Sequence, residues 1–246
     1  MSVTKCIKEL CIESNTIKYP AEINGVFYLS TAIRNSYRHP IFCYTAFNCI
    51  CNFTRGNPIH RNHILNNKHN SKIIEYIFDG MNKFRYQENL TKNEHCVKVQ
   101  ISACVALHNL AKDEYGRQLI GSQGVECVLD AFIAHVDNND VVKPALNALK
   151  NLVANKNNAN SFINADGIEY LSTLLQNPDV SISSREVATK ILENLASEES
   201  TAYLLADTDD IDQVCASLLL NAQYDTPLFL SILKFLLTFI RRLDKK

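Results

Sequence analysis

The sequence predicts an all-α solenoid, and three observations carry that prediction. One phrase recurs along the 246 residues at a near-constant interval, a second landmark keeps step with it, and prolines mark a third recurring place. The phrase is clearest as ALHNLA around Asn109, ALKNLV around Asn151 and ILENLA around Asn194, with CICNFT around Asn52 as a looser copy. Degenerate copies extend the series to CIKELC, with Glu9 in the Asn position, and to KFLLTF, with Thr238 there. Successive steps are 43, 57, 42, 43 and 44 residues. Some 15 or 16 residues after the Asn position a turn residue precedes an apolar run, at Gly25, Gly124, Gly167 and Asp210. Pro40, Pro144, Pro178 and Pro227 stand ahead of the Asn-bearing segments, in or before a first helical turn, where no amide donor is needed. A self-similar period in the forties marks stacked helical units, none of which can bury its apolar faces alone.

The elements follow in order. Residues 1–13 read as a capping helix, and the units as roughly 14–56, 57–114, 115–155, 156–198 and 199–246. Each unit is a short helix, a Gly-marked corner, a second helix, a Pro-marked turn and a long third helix. In the first, Gly25 introduces VFYLSTAI and Pro40 the Asn52 helix. The second is about 15 residues too long. Its second helix begins at Ile73, and RYQENLTKNEHC carries much of the excess as a loop or helix extension on the solenoid edge. The third and fourth match best, through Gly124 before VECVLDAF and Gly167 before IEYLSTLL. In the fifth, Asp210 precedes IDQVCASLL and Pro227 precedes the Thr238 helix.

Composition sets outer bounds. Basic and acidic residues nearly cancel at 25 and 26, and 46% hydrophobic content excludes a disordered polyelectrolyte. No apolar stretch reaches the ~20 residues of a membrane span; residues 228–240 come nearest and are interrupted by Lys234. The first residues carry no apolar signal sequence. Nine cysteines are scattered through helical text, and a chain of this size needs no disulfide staples, so a reducing intracellular compartment is expected. The 26 asparagines suit an AT-rich genome.

HNLAKDEYGRQLIGSQGVECVLDAF and KNLVANKNNANSFINADGIEYLSTLL resemble armadillo repeats. That family's unit reads Leu-x-Asn-Leu-Ala, a polar stretch, then Gly-Ile and Leu-Leu. The resemblance covers essentially the whole chain and is weakest in the first unit, the last unit and residues 57–110. It implies an armadillo-repeat right-handed superhelical solenoid of about five repeats plus an N-terminal capping helix. It also implies that the third helices line a concave groove, into which Asn52, Asn109, Asn151 and Asn194 point as a ladder. A carboxamide both donates and accepts, so it can clamp an extended peptide's backbone whatever its side chains. The alternative is that these side chains tie neighbouring helices together.

Nuclear-import adaptors of the family place a Trp four residues before the groove Asn. Here those positions are Asn48, Val105, Asn147 and Lys190, and the chain has no Trp. Without aromatic walls there is little cation–π attraction for a basic peptide, which argues against a nuclear-localisation-signal receptor. His108, Lys150 and Lys190 give the central groove a mildly basic lining that suits an acidic or neutral ligand. The candidate groove set is therefore Asn48, Asn52, Asn109, Asn147, Asn151, Asn194, His108, Lys150 and Lys190.

Charge is polarised along the stack: residues 1–100 carry 13 basic and 7 acidic side chains, the remainder 12 and 19. A basic patch of Arg55, Arg61, Lys68 and Lys72, with His60 and His63, could meet a membrane surface, a phosphate or an acidic partner. The acidic run Glu198, Glu199, Asp207, Asp209, Asp210 and Asp212 could meet a basic one. Solvated surface is the alternative for both.

No catalytic residue, cofactor or metal is expected. Cys43, Cys49 and Cys51 with His60 and His63 form the only ligand-like cluster. C-x5-C-x-C on one helix spreads its thiols around the barrel, so small buried cysteines are the better account. The sequence holds no Gly-rich phosphate loop, H-E-x-x-H or nucleophile elbow, and helical RNA readers use shorter periods and planar residues.

These observations point to a non-catalytic protein–protein interaction scaffold that takes an extended peptide or helix in its groove. The repeats-only layout and Asn-rich text further resemble the apicomplexan armadillo-repeats-only family. That resemblance implies the cytosolic face of the rhoptry, an acylated N-terminus, and a myosin motor and rhoptry adaptor as partners. Ser2 departs from the Gly that N-myristoylation requires, and Cys6 and Cys11 fall on a core-forming helix, so the resemblance needs a lipid anchor upstream of Met1. The rival expectation is a soluble cytosolic armadillo adaptor for cargo or signalling assembly, without membrane attachment.

Overall fold

The computed structural model describes residues 33–34, 39–66, 72–85, 94–221 and 226–243. The expected capping helix 1–13, the Gly25 corner and most of RYQENLTKNEHC lie outside the described residues. Within them every regular element is a helix. In chain order these are α1 (Pro40–Thr54), α2 (Pro58–Asn66), α3 (Lys72–Lys83), α4 (Glu94–Leu110), α5 (Glu114–Ala134) and α6 (Asn139–Leu152). There follow α7 (Lys156–Asn164), α8 (Gly167–Gln176), α9 (Ile182–Ser197), α10 (Glu199–Ala206), α11 (Ile211–Asn221) and α12 (Thr226–Leu243).

The long helices form one row, α1 on α4, α4 on α6, α6 on α9 and α9 on α12. The short helices form a second, α2 on α5, α5 on α7 and α7 on α10. The apolar periodicity dictates this. On α6, Ala145, Leu146, Ala148, Leu149 and Leu152 are all completely buried, a stripe at helical spacing that reaches two neighbours at once. Each Leu taken fully out of water contributes roughly 1.5–3 kcal/mol, and small alanines among them let the axes approach.

Two expected landmarks serve a different purpose from the one read in the sequence. Gly124 and Gly167 are not the corner residues. The backbone turns at Gly121 (φ 60°, ψ −162°), which breaks α5 into two helices, and at Asp166 (φ 57°, ψ 24°), just before α8. The first conformation is open essentially only to glycine; the second is left-handed, where Asp is among the tolerated residues. Gly124 and Gly167 lie inside helices because nothing larger fits. A Cβ at Gly124 would fall 2.1 Å from Ile120 Cγ2, and one at Gly167 would fall 2.5–2.6 Å from three Phe162 ring carbons. Ile120 and Phe162 are equivalent residues of successive units, so the same close approach is built twice.

Prolines also divide. Pro40 opens α1, Pro227 sits in the first turn of α12 and Pro178 precedes α9, as expected. Pro144 does not precede its helix; it lies inside α6, five residues after Asn139. There it cannot donate to the carbonyl four residues back, at Asp140.

Side chains cap several of the helices. Asp113 accepts from Gly116 N at 2.8 Å, Asn155 from Asn157 N and Asn158 N, and Ser181 from Ser184 N; such caps are worth about 1 kcal/mol each. Near the ends of α6 and α9 a carbonyl is met by the side chain of the residue six further on. Asn158 Nδ2 donates to Leu152 O at 3.2 Å and Thr201 Oγ1 to Leu195 O at 2.5 Å. At Gly116 the main chain itself comes so near that a Cβ would lie 1.9 Å from Leu110 O. Arg185 secures the α8–α9 corner by donating to Leu175 O, Asn177 O and Val180 O at 2.8, 2.7 and 3.2 Å.

Gly167→Ala is expected to destabilise the protein by about 1–3 kcal/mol, the ordinary range for overpacking, measured as a lowered urea midpoint. Combining it with Phe162→Leu restores part of the loss, because the two changes share one contact.

Candidate functional site

The row of long helices is where the sequence places its candidate groove, and the asparagines there have definite partners. Asn109 Nδ2 donates to Cys51 O at 3.2 Å, Asn151 Nδ2 to His108 O at 2.9 Å, and Asn194 Nδ2 to Lys150 O at 2.8 Å. Each acceptor is the carbonyl of the residue immediately before the previous unit's Asn. The donor side of the carboxamide is thus a bolt between units, the alternative considered above. Asn109 is 4% exposed, whereas Asn151 and Asn194 are half-buried and Asn48 and Asn52 exposed. Committing an N–H of each carboxamide to the neighbouring unit limits the ladder. The three carboxamide oxygens, at about 1 kcal/mol each, give roughly 3 kcal/mol, weaker than millimolar binding.

On the groove expectation, affinity would have to come from between the rungs. A notch of about 430 Å³ opens between α4 and α6, lined by Ile101, Val105 and His108 on one side and Asp140, Lys143, Pro144 and Asn147 on the other. Val105 stands where a Trp would fill the space, and Pro144 stands where α6 lacks a donor. Ile101, Asp140, Lys143 and Pro144 were not among the sequence candidates. Ile101 and Lys143 lie eight residues before Asn109 and Asn151, so counting one more double turn back along each helix would have found them. In the same register Tyr44 precedes Asn52; its ring stacks on His95 at 5.9 Å, with Lys98 Nζ 5.8 Å from its centroid.

His108 closes one end of the notch. Its Nδ1 lies 3.0 Å from Asn147 O and 3.0 Å from Asn151 Nδ2. A protonated Nδ1 donates to the first, and a bare Nδ1 accepts from the second. Burial pushes the imidazole below its ordinary range; the Asn147 carbonyl opposes this, and Lys112 and Lys150 reinforce it.

The lysines differ in how free they are. Lys190 Nζ donates to Glu193 Oε2 at 2.5 Å, and Lys234 Nζ lies 2.5 Å from Glu193 Oε1. Burial pushes the Glu193 carboxyl up, but hydrogen bonds from those two lysines outweigh it and hold the group below the usual range. The expected cation at Lys190 is thus largely neutralised. Lys150 Nζ instead donates to the neutral Asn147 Oδ1 at 3.2 Å. Burial, with Lys190 nearby, lowers its pKa, the state of an ammonium short of an anion. Lys143 is exposed at the mouth of the notch.

The expected basic patch is only partly on the surface. Arg55 and Lys72 are exposed. Arg61 is half-buried, with Nε 3.5 Å from Asp113 Oδ2. His60 is buried, stacked on Phe53 at 4.2 Å with Nδ1 2.9 Å from Phe53 O. The physical reason is helical phase: α2 turns His60, Ile64 and Leu65 inward together. Lys68 lies outside the described residues. Along the acidic run Glu198, Glu199, Asp207, Asp209 and Asp212 are exposed.

The cysteines are packing groups. Burial pushes Cys43, Cys51 and Cys104 up to about 12 and Cys127 to about 11, so these thiols stay protonated. Cys51 Sγ donates to Ser102 O at 3.3 Å across the α1–α4 contact. Cys49 is disulfide-bonded, against the expectation that the chain would need no such bond. Among the described residues no three His, Cys, Asp or Glu side chains converge as a metal-ligand group, and no helix is long and apolar enough to cross a membrane.

No family model and no curated protein matches the chain. Solved structures do. An engineered protein from the Northeast Structural Genomics Consortium superimposes with a TM-score of 0.75 at 19% identity, over 97% of this chain and 90% of that one. A designed armadillo repeat protein in complex with the peptide (KR)4 gives 0.72 at 15% identity, over 96% and 92%. A second designed armadillo repeat protein gives 0.62 at 15% identity, over 94% and 98%. The fold is an all-α armadillo-repeat solenoid.

Burial lowers the folded-state pKa of both His108 and His135 below the ordinary 6.5. The native state then binds fewer protons than the unfolded chain, so stability is complete above 6.5 and is lost as pH falls from there toward the folded values. Urea midpoints taken at about pH 7.5 and about pH 5.5 should show that loss, and His108→Gln should reduce it.

Proposed function

We propose that the chain is a non-catalytic protein-binding scaffold whose row of long helices takes an extended segment of neutral to acidic character. The observation that carries this is the notch between α4 and α6, with Lys143 at its mouth and Lys150 half-buried beside it without a carboxylate partner among the described residues. The peptide complex of a designed armadillo neighbour supports peptide binding by this fold. The ligand there is basic, whereas the lysines here favour the opposite charge. An Asp or Glu could pair with the half-buried Lys150, where an ion pair is screened less than at the open surface.

The test uses two fluorescent peptides, one alternating Glu with small apolar residues and one with Lys in place of Glu. The acidic peptide is expected to bind at least tenfold more tightly by anisotropy. Lys143→Glu combined with Lys150→Gln is expected to remove about 1.4 kcal/mol or more of that preference without lowering the thermal midpoint. Equal binding of both peptides would refute the reading.

Two cellular settings remain from the sequence. A soluble adaptor for cargo or signalling needs nothing beyond the groove. A rhoptry-positioning scaffold, with an acylated N-terminus, a myosin motor and a rhoptry adaptor, rests on repeats-only layout and Asn-rich composition alone. Intact mass combined with membrane fractionation of the protein from its own cells separates them. The second setting requires an acylated, heavier species in the pellet, and the first a species of unmodified mass in the supernatant.

A further inference from the structure

The last helix is apolar on two opposite faces. Leu228, Ile232, Phe235 and Phe239 are buried on the side toward α9. Leu230, Leu233, Leu237 and Ile240 occupy the other side and are 59, 36, 53 and 52% exposed. Phe229 on α12 and Leu220 on α11 widen that face, the latter 68% exposed. A helix with large apolar side chains on two opposite faces has a second face suited to burial as well as the one it packs on the stack. That outward face carries large exposed apolar side chains rather than polar ones.

Its chemistry narrows what covers it. The spacing 230, 233, 237, 240 is the three-four-three step of a helix–helix seam. At about 200 Å² for a fully exposed large side chain, the exposed apolar residues of α11 and α12 present roughly 700 Å². That is more than the ~300–600 Å² of the largest patch on a typical monomer and close to the ~800 Å² that each partner buries in a standard interface. The face is two helices wide, the width of an identical end face. The one cation along the middle of the seam, Lys234, is drawn toward Glu193 at 2.5 Å, a carboxylate it shares with Lys190.

We propose that this end face is a self-association surface, on which α12 packs antiparallel against α12 of a second copy about a two-fold axis. Pairing Leu233 with Leu237 of the second copy sets Leu230 against Ile240 and brings Arg241 over Phe229, a cation–aromatic contact. The contact is isologous and closes at two chains. It is independent of what the groove takes.

Sedimentation equilibrium of the full chain over a concentration series tests this. The weight-average mass is expected to rise from 27.8 kDa toward twice that value. Leu237→Glu should hold it at the lower mass with helicity and thermal midpoint unchanged. Leu237→Ala, which leaves the helix a good helix former, should weaken association at least tenfold, and Val136→Glu, an exposed site away from the face, should leave it intact. A mass that stays at one chain throughout overturns the proposal, as does association that survives both Leu237 variants.

Discussion

Everything in the stack depends on how closely one long helix can approach the next while keeping its register. Apolar burial supplies the drive, but burial is indifferent to sliding. The Asn-to-carbonyl bond is not. Asn109, Asn151 and Asn194 each find the carbonyl of one particular residue in the preceding unit, and a slip of one residue would leave a half-buried amide without its acceptor, at a cost of about 1–3 kcal/mol. Fully buried alanines at 103, 106, 145, 148 and 188 keep the axes near enough for those bonds to form. The same closeness recurs at Gly116, Gly124 and Gly167, where a single methyl group would collide.

Much of the fold was legible because periodicity is a global property. A step in the forties survives any one misplaced residue, and the long helices were located from their Asn phrase. Local geometry was less legible. Glycine at a fixed offset signals that a side chain is not tolerated, yet the sequence does not say whether the objection is to the dihedral or to the volume. At Gly121 it is the dihedral; at Gly124 and Gly167 it is the volume. Pro144 was read as a helix opener because prolines prefer that place, and the burial on both sides of α6 overrode the preference. The basic run around Arg61 was read as surface because it is charged, but helical phase turns His60 into the core and brings Arg61 to Asp113.

The candidate site shows a similar division. The positions four residues before each Asn were identified by analogy, and two of the four, Val105 and Asn147, line the notch. The notch itself opens where Val105 and Pro144 present small apolar side chains, and open space of that kind is hard to see in a string of letters. Composition gains a meaning in the structure as well. Asparagine is abundant here, and its side chain does three jobs in this chain: it bolts long helices at 109, 151 and 194, caps helices at 138 and 155, and ties a short helix to two neighbours at Asn158.

The bolted carboxamides carry a consequence for measurement along the row. An amide group is planar and rigid, so fixing its nitrogen on the neighbouring helix fixes the direction of its oxygen too. The oxygens are then graduations on a ruler whose unit is the helix spacing, about 8–10 Å. An extended chain repeats every two residues in roughly 6.4–6.8 Å. A straight stack would be incommensurate with such a chain, and graduation and residue would drift apart within a few units. Curvature toward the inner side shortens the spacing there and brings the two scales together, so on the proposed reading the superhelical bend sets how many consecutive rungs one ligand would engage.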